Sequence, residues 1–406
     1  MSTLLRFSVA FIFGGIAVLG QMSVAAAPLR VEDFSFEDPL GCSGAQIEMV
    51  GENHFRVTPG HAPEHVGWAN MIQFTILRNA AGNALRLEVV YPSATAYRFN
   101  DYFYSWSHDG KTWNPVQWEM GPKQKVKTNI LLFPTFKEDR VYVGHQVPMS
   151  YEDLKAMVQE WEGHPDVTVH VLGQSLGERD IYRLEISAEG DIAPEDRWVH
   201  YVSNQHPGEH NAQWRIVGMI QWLLSDAGAD CRQRSICHFV PMMSPDAPSK
   251  GWYRVNAQGV DMNRSYFPKG AKEGRQAHEP YIVQNDIEGL MRSESPVTDL
   301  WSMHTWGGIV EPILYAGREM KGERPWTLFR DILEKNDTND LIKTLAAKKS
   351  NPKDNRTWWT HGPHQQFRIT TVLCEGAGAI YTKEENIESG AVIMQSLAEY
   401  YAGTRR

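Results

Sequence analysis

The hydrophobic pattern of this chain changes period once, and that change limits what it can fold into. From about residue 29 to residue 147, apolar residues alternate with polar ones or run in short β-branched stretches, as over 72–77 and 84–90. Turn-forming clusters at 79–83 and 107–111 separate these stretches. Many short strands with frequent turns predict an antiparallel β-sandwich. The aromatic residues Tyr97, Phe99, Tyr102, Tyr104, Trp106, Trp113 and Trp118 read as packing within it.

After Pro148 the pattern alternates between strand and helix. Ser150 is placed to cap a helix that carries Leu154, Met157, Val158 and Trp161 on one side, and Asp153 stands where a capping box closes. Strand-like segments at 167–170, 183–186, 199–202, 238–242, 299–303 and 370–374 follow. Helical segments at 212–224, 282–291 and 387–401 fall among them. This order predicts an α/β domain, with a mixed and mostly parallel sheet flanked by helices. The expected division is a sandwich over 28–147 and an α/β domain over 148–406, with the boundary near 147–165.

The first 27 residues read differently from both. Arg6 precedes an apolar run over 7–20, then Gln21 and a small-residue stretch over 23–27. That is the pattern of a cleavable secretory signal peptide, with cleavage expected between Ala25 and Ala27. The run is shorter than the roughly 20 residues a membrane span needs. A secreted or periplasmic product with no membrane association after cleavage is expected. The formal charge is −9, from 40 Lys and Arg against 49 Asp and Glu. Loss of Arg6 makes it −9 − 1 = −10. With no block of like charge, a nucleic-acid partner is excluded. Four cysteines are present: Cys231 and Cys237 are near enough in sequence to close a small loop, whereas Cys42 and Cys374 cannot be paired from sequence. Free buried thiols are the equal alternative.

The sharpest local feature is the segment 201–209. A strand ends, a Pro-Gly turn follows, and a helix is expected from about Asn211, so His206 and Glu209 leave a strand's carboxyl end three positions apart. Alone, H-x-x-E is a weak signal. His304 closes another expected strand and offers a third ligand. Two His and one Glu with an open position form a catalytic zinc set. Structural Cys₄ zinc is excluded, because no C-x-x-C spacing occurs.

Five segments in order carry a wider resemblance: His206-Pro207-Gly208-Glu209, Trp252-Tyr253-Arg254, the run from Gly259 through Asp261 to Arg264, Ser302-Met303-His304, and Thr371 to Glu375. Together the chain resembles the zinc metallocarboxypeptidases, most nearly the cytosolic-carboxypeptidase-like branch, which carries a β-sandwich before its catalytic domain. The segments at 142–154 and 172–181 resemble that branch too. The resemblance implies one zinc ion per chain on His206, Glu209 and His304, with Glu375 as general base and Arg254 stabilising the oxyanion. It also implies that Asn263 and Arg264 clamp a substrate's terminal carboxylate, and that Asp261 accepts a hydrogen bond from a ligand histidine. Where the family often has Asn-Pro-Asp-Gly this chain has Ser244-Pro245-Asp246-Ala247. Where many members have a capping tyrosine it has Trp358, Trp359, His361 and His364, and Trp358 and Trp359 are expected at the pocket mouth.

The function these readings imply is an exported zinc carboxypeptidase acting on the C-termini of peptides or proteins. The alternatives are an amidase of the same fold acting on cell-wall peptide or acylated amino acids, and a non-catalytic binding protein on that scaffold. The sandwich is expected to buttress the site.

Overall fold

The computed structural model describes residues 26–92, 103–120, 128–306, 313–315, 323–345, 356–377 and 382–403. All but two residues of the expected leader, and Tyr97, Phe99 and Tyr102, lie outside them. Two five-stranded sheets form the first layer pair. One runs, in spatial order, Phe34–Ser35, Phe74–Ile76, Val141–His145, Tyr104–Ser107 and Asn114–Pro115. The other runs Gln117–Met120, Thr128–Phe133, Leu85–Val90, His54–Thr58 and Gln46–Gly51. The period-2 pattern does what it predicts: Leu85, Leu87 and Val89 are buried while Arg86 and Glu88 are partly exposed. Phe34, Phe55 and Phe74 pack together between the sheets, with ring centroids 4.7 and 5.7 Å apart.

The sandwich departs from the expected pattern in one pairing. Leu85–Val90 lies parallel to His54–Thr58, whereas its neighbours in both sheets are antiparallel. After His54–Thr58 the chain crosses to the facing sheet, adds Phe74–Ile76 there, and returns in its original direction. A strand that comes back after a crossover, and not after a hairpin, pairs parallel.

The second part begins with helix α1 (Tyr151–Glu162), and its capping box forms as the sequence predicts. Asp153 N donates to Ser150 Oγ (3.0 Å) and Ser150 N donates to Asp153 Oδ2 (2.9 Å). Eight strands then make one sheet: β1 (Val167–Gln174), β2 (Asp180–Ile186), β3 (Trp198–Asn204), β4 (Ser235–Val240), β5 (Asp299–Trp306), β6 (Ile313–Tyr315), β7 (Lys343–Leu345) and β8 (Thr370–Ala377). Their spatial order is β1-β2-β4-β3-β5-β8-β6-β7. The central strands β4, β3, β5 and β8 are mutually parallel, and antiparallel pairs flank them. Helices α2 (His210–Leu224), α3 (Ala229–Arg234) and α4 (His278–Leu290) follow in the chain. Then come α5 (Glu323–Asn336), α6 (His361–Phe367) and α7 (Lys383–Ala402).

Helix α2 is buried on nearly every side, because it lies between the sheet and α7. A Cβ at Gly218 would stand 1.8 Å from Ile387 O, and one at Gly390 would stand 1.9 Å from Arg215 O. Two glycines therefore set how closely these helices approach. The two parts of the molecule are also joined by backbone bonds. Met71 N donates to Gly251 O (2.8 Å) and Ser43 N to Lys250 O (2.9 Å), while Tyr253 packs into the sandwich core. The sandwich thus fixes the turn that leads into Arg254.

Candidate metal centre

Strand β3 has β4 on one side and β5 on the other, so the chain's winding reverses at its carboxyl end. Such a switch point leaves a crevice where loops diverge. His206 and Glu209 lie in the turn after β3, and His304 and Glu375 are direct cross-strand partners near the ends of β5 and β8. Gly208 lets that turn lie flat: a Cβ there would be 2.6 Å from Tyr253 Cα and 2.7 Å from Met71 Sδ. Gly208 N donates to Tyr253 O (2.9 Å). The Pro-Gly pair is thus required by a close approach of backbone to the sandwich-anchored segment.

Within this crevice His206, Glu209 and His304 converge. His206 Nδ1 lies 2.8 Å from Glu209 Oε1, His304 Nδ1 lies 2.9 Å from Glu209 Oε2, and the two Nδ1 atoms are 3.1 Å apart. All three side chains are buried. The outer partners decide the tautomers. His206 Nε2 faces Asp261 Oδ1 at 3.1 Å, a carboxylate that can only accept. His304 Nε2 faces Ser302 Oγ at 2.9 Å. Ser302 spends its own proton on Gln205 Oε1, whose amide in turn donates to Ser203 Oγ (2.7 Å). Both imidazoles therefore keep hydrogen on Nε2, and in the neutral form they turn Nδ1 lone pairs inward. Although burial and Arg254 oppose it, the carboxylates of Glu209 and Asp261 raise the proton affinity of His206. Such a set of converging acceptors calls for a proton or a metal ion between them, and this N₂O set is one that zinc takes. These residues fit the ion.

The charges around the trio are uneven. Thr305 N donates to Glu209 Oε2 (2.9 Å), and the two histidines hold the Glu209 carboxyl well below the usual range although burial opposes them. Burial takes His304 down to about 4. Burial also raises Asp261, but hydrogen bonding and charge from His206, with the charges of Arg254 and Arg264, bring it well below normal. Half-buried Glu375 moves the other way, pushed up to about 8 by its enclosure and then by the negative charge of Glu209. Arg254 donates through Nε to Asp261 Oδ2 (2.6 Å), so one carboxylate aligns the His206 imidazole and a guanidinium together. Asp261 also accepts from Asn263 N (3.0 Å), which starts the turn bearing Asn263 and Arg264.

Residues 154–296 match the family model described as zinc carboxypeptidase (Peptidase_M14). That match spans about a third of the chain, and over it the chain is similar to zinc carboxypeptidase domains. Cytosolic carboxypeptidase 2 of Danio rerio is 32% identical over 145 residues, which are 34% of this chain and 20% of that protein. An uncharacterized protein of Zymomonas mobilis is 27% identical over 192 residues, covering 46% of this chain and 48% of its own. The chain thus spans about a fifth to a half of these curated relatives. The fold extends further than the sequence match. A metallo-carboxypeptidase from Burkholderia cenocepacia superposes with a TM-score of 0.77 at 17% identity, covering 91% of this chain and 99% of its own. A metallo-carboxypeptidase from Pseudomonas aeruginosa, solved with (2-guanidinoethylmercapto)succinic acid, gives 0.73 at 19% identity over 90% and 98%. Those likenesses establish the fold, sandwich included.

Several expectations for the residues around this centre change in the structure. Trp359 does not stand at a mouth. It is fully buried, with its indole N–H donating to Met262 O (2.6 Å) and its backbone N–H to Asn263 Oδ1 (3.3 Å). An indole inside a protein needs an acceptor, and the turn after Asp261 supplies one. Trp358 is the more exposed of the pair and stacks under the Arg264 guanidinium, 4.0 Å from its ring centroid. The Ser244–Ala247 departure has a structural use: Asp246 accepts from Ser175 Oγ (2.8 Å) and Gly177 N (2.9 Å), tying down the loop between β1 and β2. Cys42, Cys231, Cys237 and Cys374 are all free and buried, which decides between the two cysteine readings. Gly307 and Gly308, expected from the sequence to give the chain freedom after His304, lie outside the described residues.

One residue escaped the sequence reading. Arg215, buried on α2, donates to the carbonyls of His304 and Cys374 (the latter at 3.2 Å) and to Cys374 Sγ (3.4 Å). It fastens β5 and β8 together at the row that bears His304 and Glu375. An arginine amid apolar helix residues carries no motif, and the nearby Gly376 is the only hint: a Cβ there would be 2.5 Å from Arg215 Cζ.

Proposed function

We propose that this chain is a zinc-dependent metallocarboxypeptidase that hydrolyses the C-terminal peptide bond of peptides or proteins. The observation that carries the reading is the convergence of His206 Nδ1, His304 Nδ1 and the Glu209 carboxylate, with Glu375 paired beside His304. Bound there, zinc supplies Lewis acidity and a water of lowered pKa. Glu375, whose proton affinity is raised toward neutrality, takes a proton from the attacking water and returns it to the leaving amine. Arg254, oriented by Asp261, offers a fixed cation to the oxyanion that develops on the scissile carbonyl. Asn263 and Arg264 bind the substrate's terminal carboxylate, for which a planar guanidinium is suited. Stacking on Trp358 limits the directions that guanidinium can take. The sandwich acts as a buttress through Tyr253 and the turn before Arg254. Export belongs to this proposal as well, on the strength of the apolar run behind Arg6; cell fractionation with N-terminal sequencing of the product tests it.

The reaction is tested by incubating the zinc-loaded full chain with N-blocked peptides ending in different residues and following products by chromatography. Release of a single C-terminal residue is expected, falling by about 10³-fold in Glu375→Gln. Cleavage confined to a murein tripeptide would favour the amidase reading. No cleavage of any substrate would leave the scaffold as a binding protein.

A further inference from the structure

A second cluster of reactive groups lies at the other end of the sheet. Cys237 on β4, His200 on β3 and Asp299 on β5 are direct register partners, so they stand in one row across three adjacent parallel strands. His200 precedes Asn204 by four strand residues, which places the row roughly 13 Å from the end of β3 that leads to the metal centre. His200 Nδ1 lies 2.8 Å from Asp299 Oδ2, and Trp301 Nε1 donates to Asp299 Oδ1 (2.8 Å). The carboxylate is thereby fixed and orients the imidazole. The other ring nitrogen, His200 Nε2, is buried and has no hydrogen-bond partner among the described residues. Such a nitrogen needs an explanation.

The neighbouring group is a pair of thiols. Cys231, on α3, lies 3.9 Å from Ser235 Oγ, and Cys237, two positions further along β4 and so on the same strand face as Ser235, packs in one core cluster with Cys231. The two sulfurs differ in access. Cys237 is wholly enclosed, whereas Cys231 keeps 6% of its surface and borders an open depression of about 190 Å³ walled by Trp198, Trp222 and Tyr401. Their proton affinities are split in the same sense. The neighbouring Cys237 thiol brings Cys231 down to about 7, with the His200 charge adding to it against burial and Asp230. Burial holds Cys237 well above normal. The other two cysteines are inert by comparison: burial pushes Cys42 up to about 12 and Cys374 to about 11. A thiol at the edge of a depression, beside a wholly enclosed thiol and an imidazole, is the arrangement of a reactive cysteine with its resolving partner.

We propose that Cys231 and Cys237 form a redox-active dithiol, with Cys231 the attacking sulfur reached from the depression and Cys237 the resolving sulfur behind it. The co-reactant is a small disulfide, RSSR. The Cys231 thiolate, its proton already released to solvent, attacks one sulfur of RSSR; the S–S bond breaks and RS⁻ departs, taking up a solvent proton. The Cys237 thiol then attacks Cys231 Sγ in the mixed disulfide, expels a second RS⁻ and passes its proton to it. Two protein thiols are oxidised and one small disulfide is reduced to two RSH. The result ties α3 to β4.

The test uses the full chain, reduced, freed of reductant and exposed under native conditions to oxidised glutathione, then alkylated and mapped by peptide mass spectrometry. The expected product is a Cys231–Cys237 disulfide, two hydrogens lighter, with Cys42 and Cys374 alkylated only after unfolding. Cys237→Ser should trap glutathione on Cys231, and Cys231→Ser should leave Cys237 unmodified. His200→Gln should slow iodoacetamide alkylation of Cys231 at pH 7 several-fold. The proposal is overturned if Cys231 in the native chain reacts no faster than Cys42 and Cys374. It is equally overturned if glutathione stays on Cys231 while Cys237 is present. Neither result depends on peptidase activity.

Discussion

At the scale of single residues, the metal centre is a problem in where protons sit. Asp261 and Ser302 each take the Nε2 hydrogen of a histidine, and only then do both Nδ1 lone pairs face Glu209. Ser302→Ala removes one of these partners without changing a ligand. Zinc affinity measured by competition with a chromophoric chelator should fall about 10- to 100-fold, while circular dichroism stays unchanged. An unchanged affinity would mean that Ser302 does not orient His304. His206, Glu209 and His304 stood out in the sequence because they follow the ends of apolar runs, whereas Glu375 and Asp261 came in only through the family resemblance. Arg215 was not legible, since its partners are backbone carbonyls that no residue pattern reports. Trp359 was misplaced for a related reason: its acceptor, Met262 O, lies 97 residues away.

At the scale of elements, the apolar centres of the strands were legible but their ends were not. The pattern stops at 202, 303 and 374, whereas β3, β5 and β8 continue to Asn204, Trp306 and Ala377. The extra residues include Asn204, His304 and Glu375, polar groups kept at the carboxyl ends by the chemistry there and by cross-strand bonds such as Asn204 Nδ2 to Met303 O (3.0 Å). The parallel pair in the sandwich was hidden too, because strand direction depends on a crossover and not on residue period. The turn between β3 and α2 gives the sharpest element-level prediction. In Gly208→Ala the new methyl meets the Tyr253 backbone, which cannot rotate away. A loss of about 1–3 kcal/mol in urea unfolding is expected, together with weaker zinc binding, since the turn carries two of the three ligands. A variant as stable as the parent would contradict the close approach.

At the scale of the whole molecule, stability should depend on acid through histidines that are buried neutral. Burial is the main cause that takes His210 down to about 4 and His145 and His238 well below the ordinary 6.5. The unfolded chain protonates these side chains near pH 6.5 and the folded chain does not, so unfolding takes up protons below that pH. Their stability is fully present above pH 6.5 and is lost as pH falls. Each costs about 1.4 kcal/mol by pH 5.5. His200 has the opposite sign: although burial opposes it, Asp299 raises it, so its contribution is lost as pH rises. Urea midpoints of the metal-free chain should therefore decrease steadily from pH 6.5 to 5.5. A flat profile would show that these histidines are protonated in the fold.

All three scales meet in one measurement, the rate of C-terminal residue release by zinc-loaded Glu375→Gln beside the parent protein, with metal content determined on the same samples. One zinc per chain is expected in both, with turnover by Glu375→Gln about 10³-fold below that of the parent. Hydrolysis by Glu375→Gln at the parent rate, with zinc in place, would contradict it.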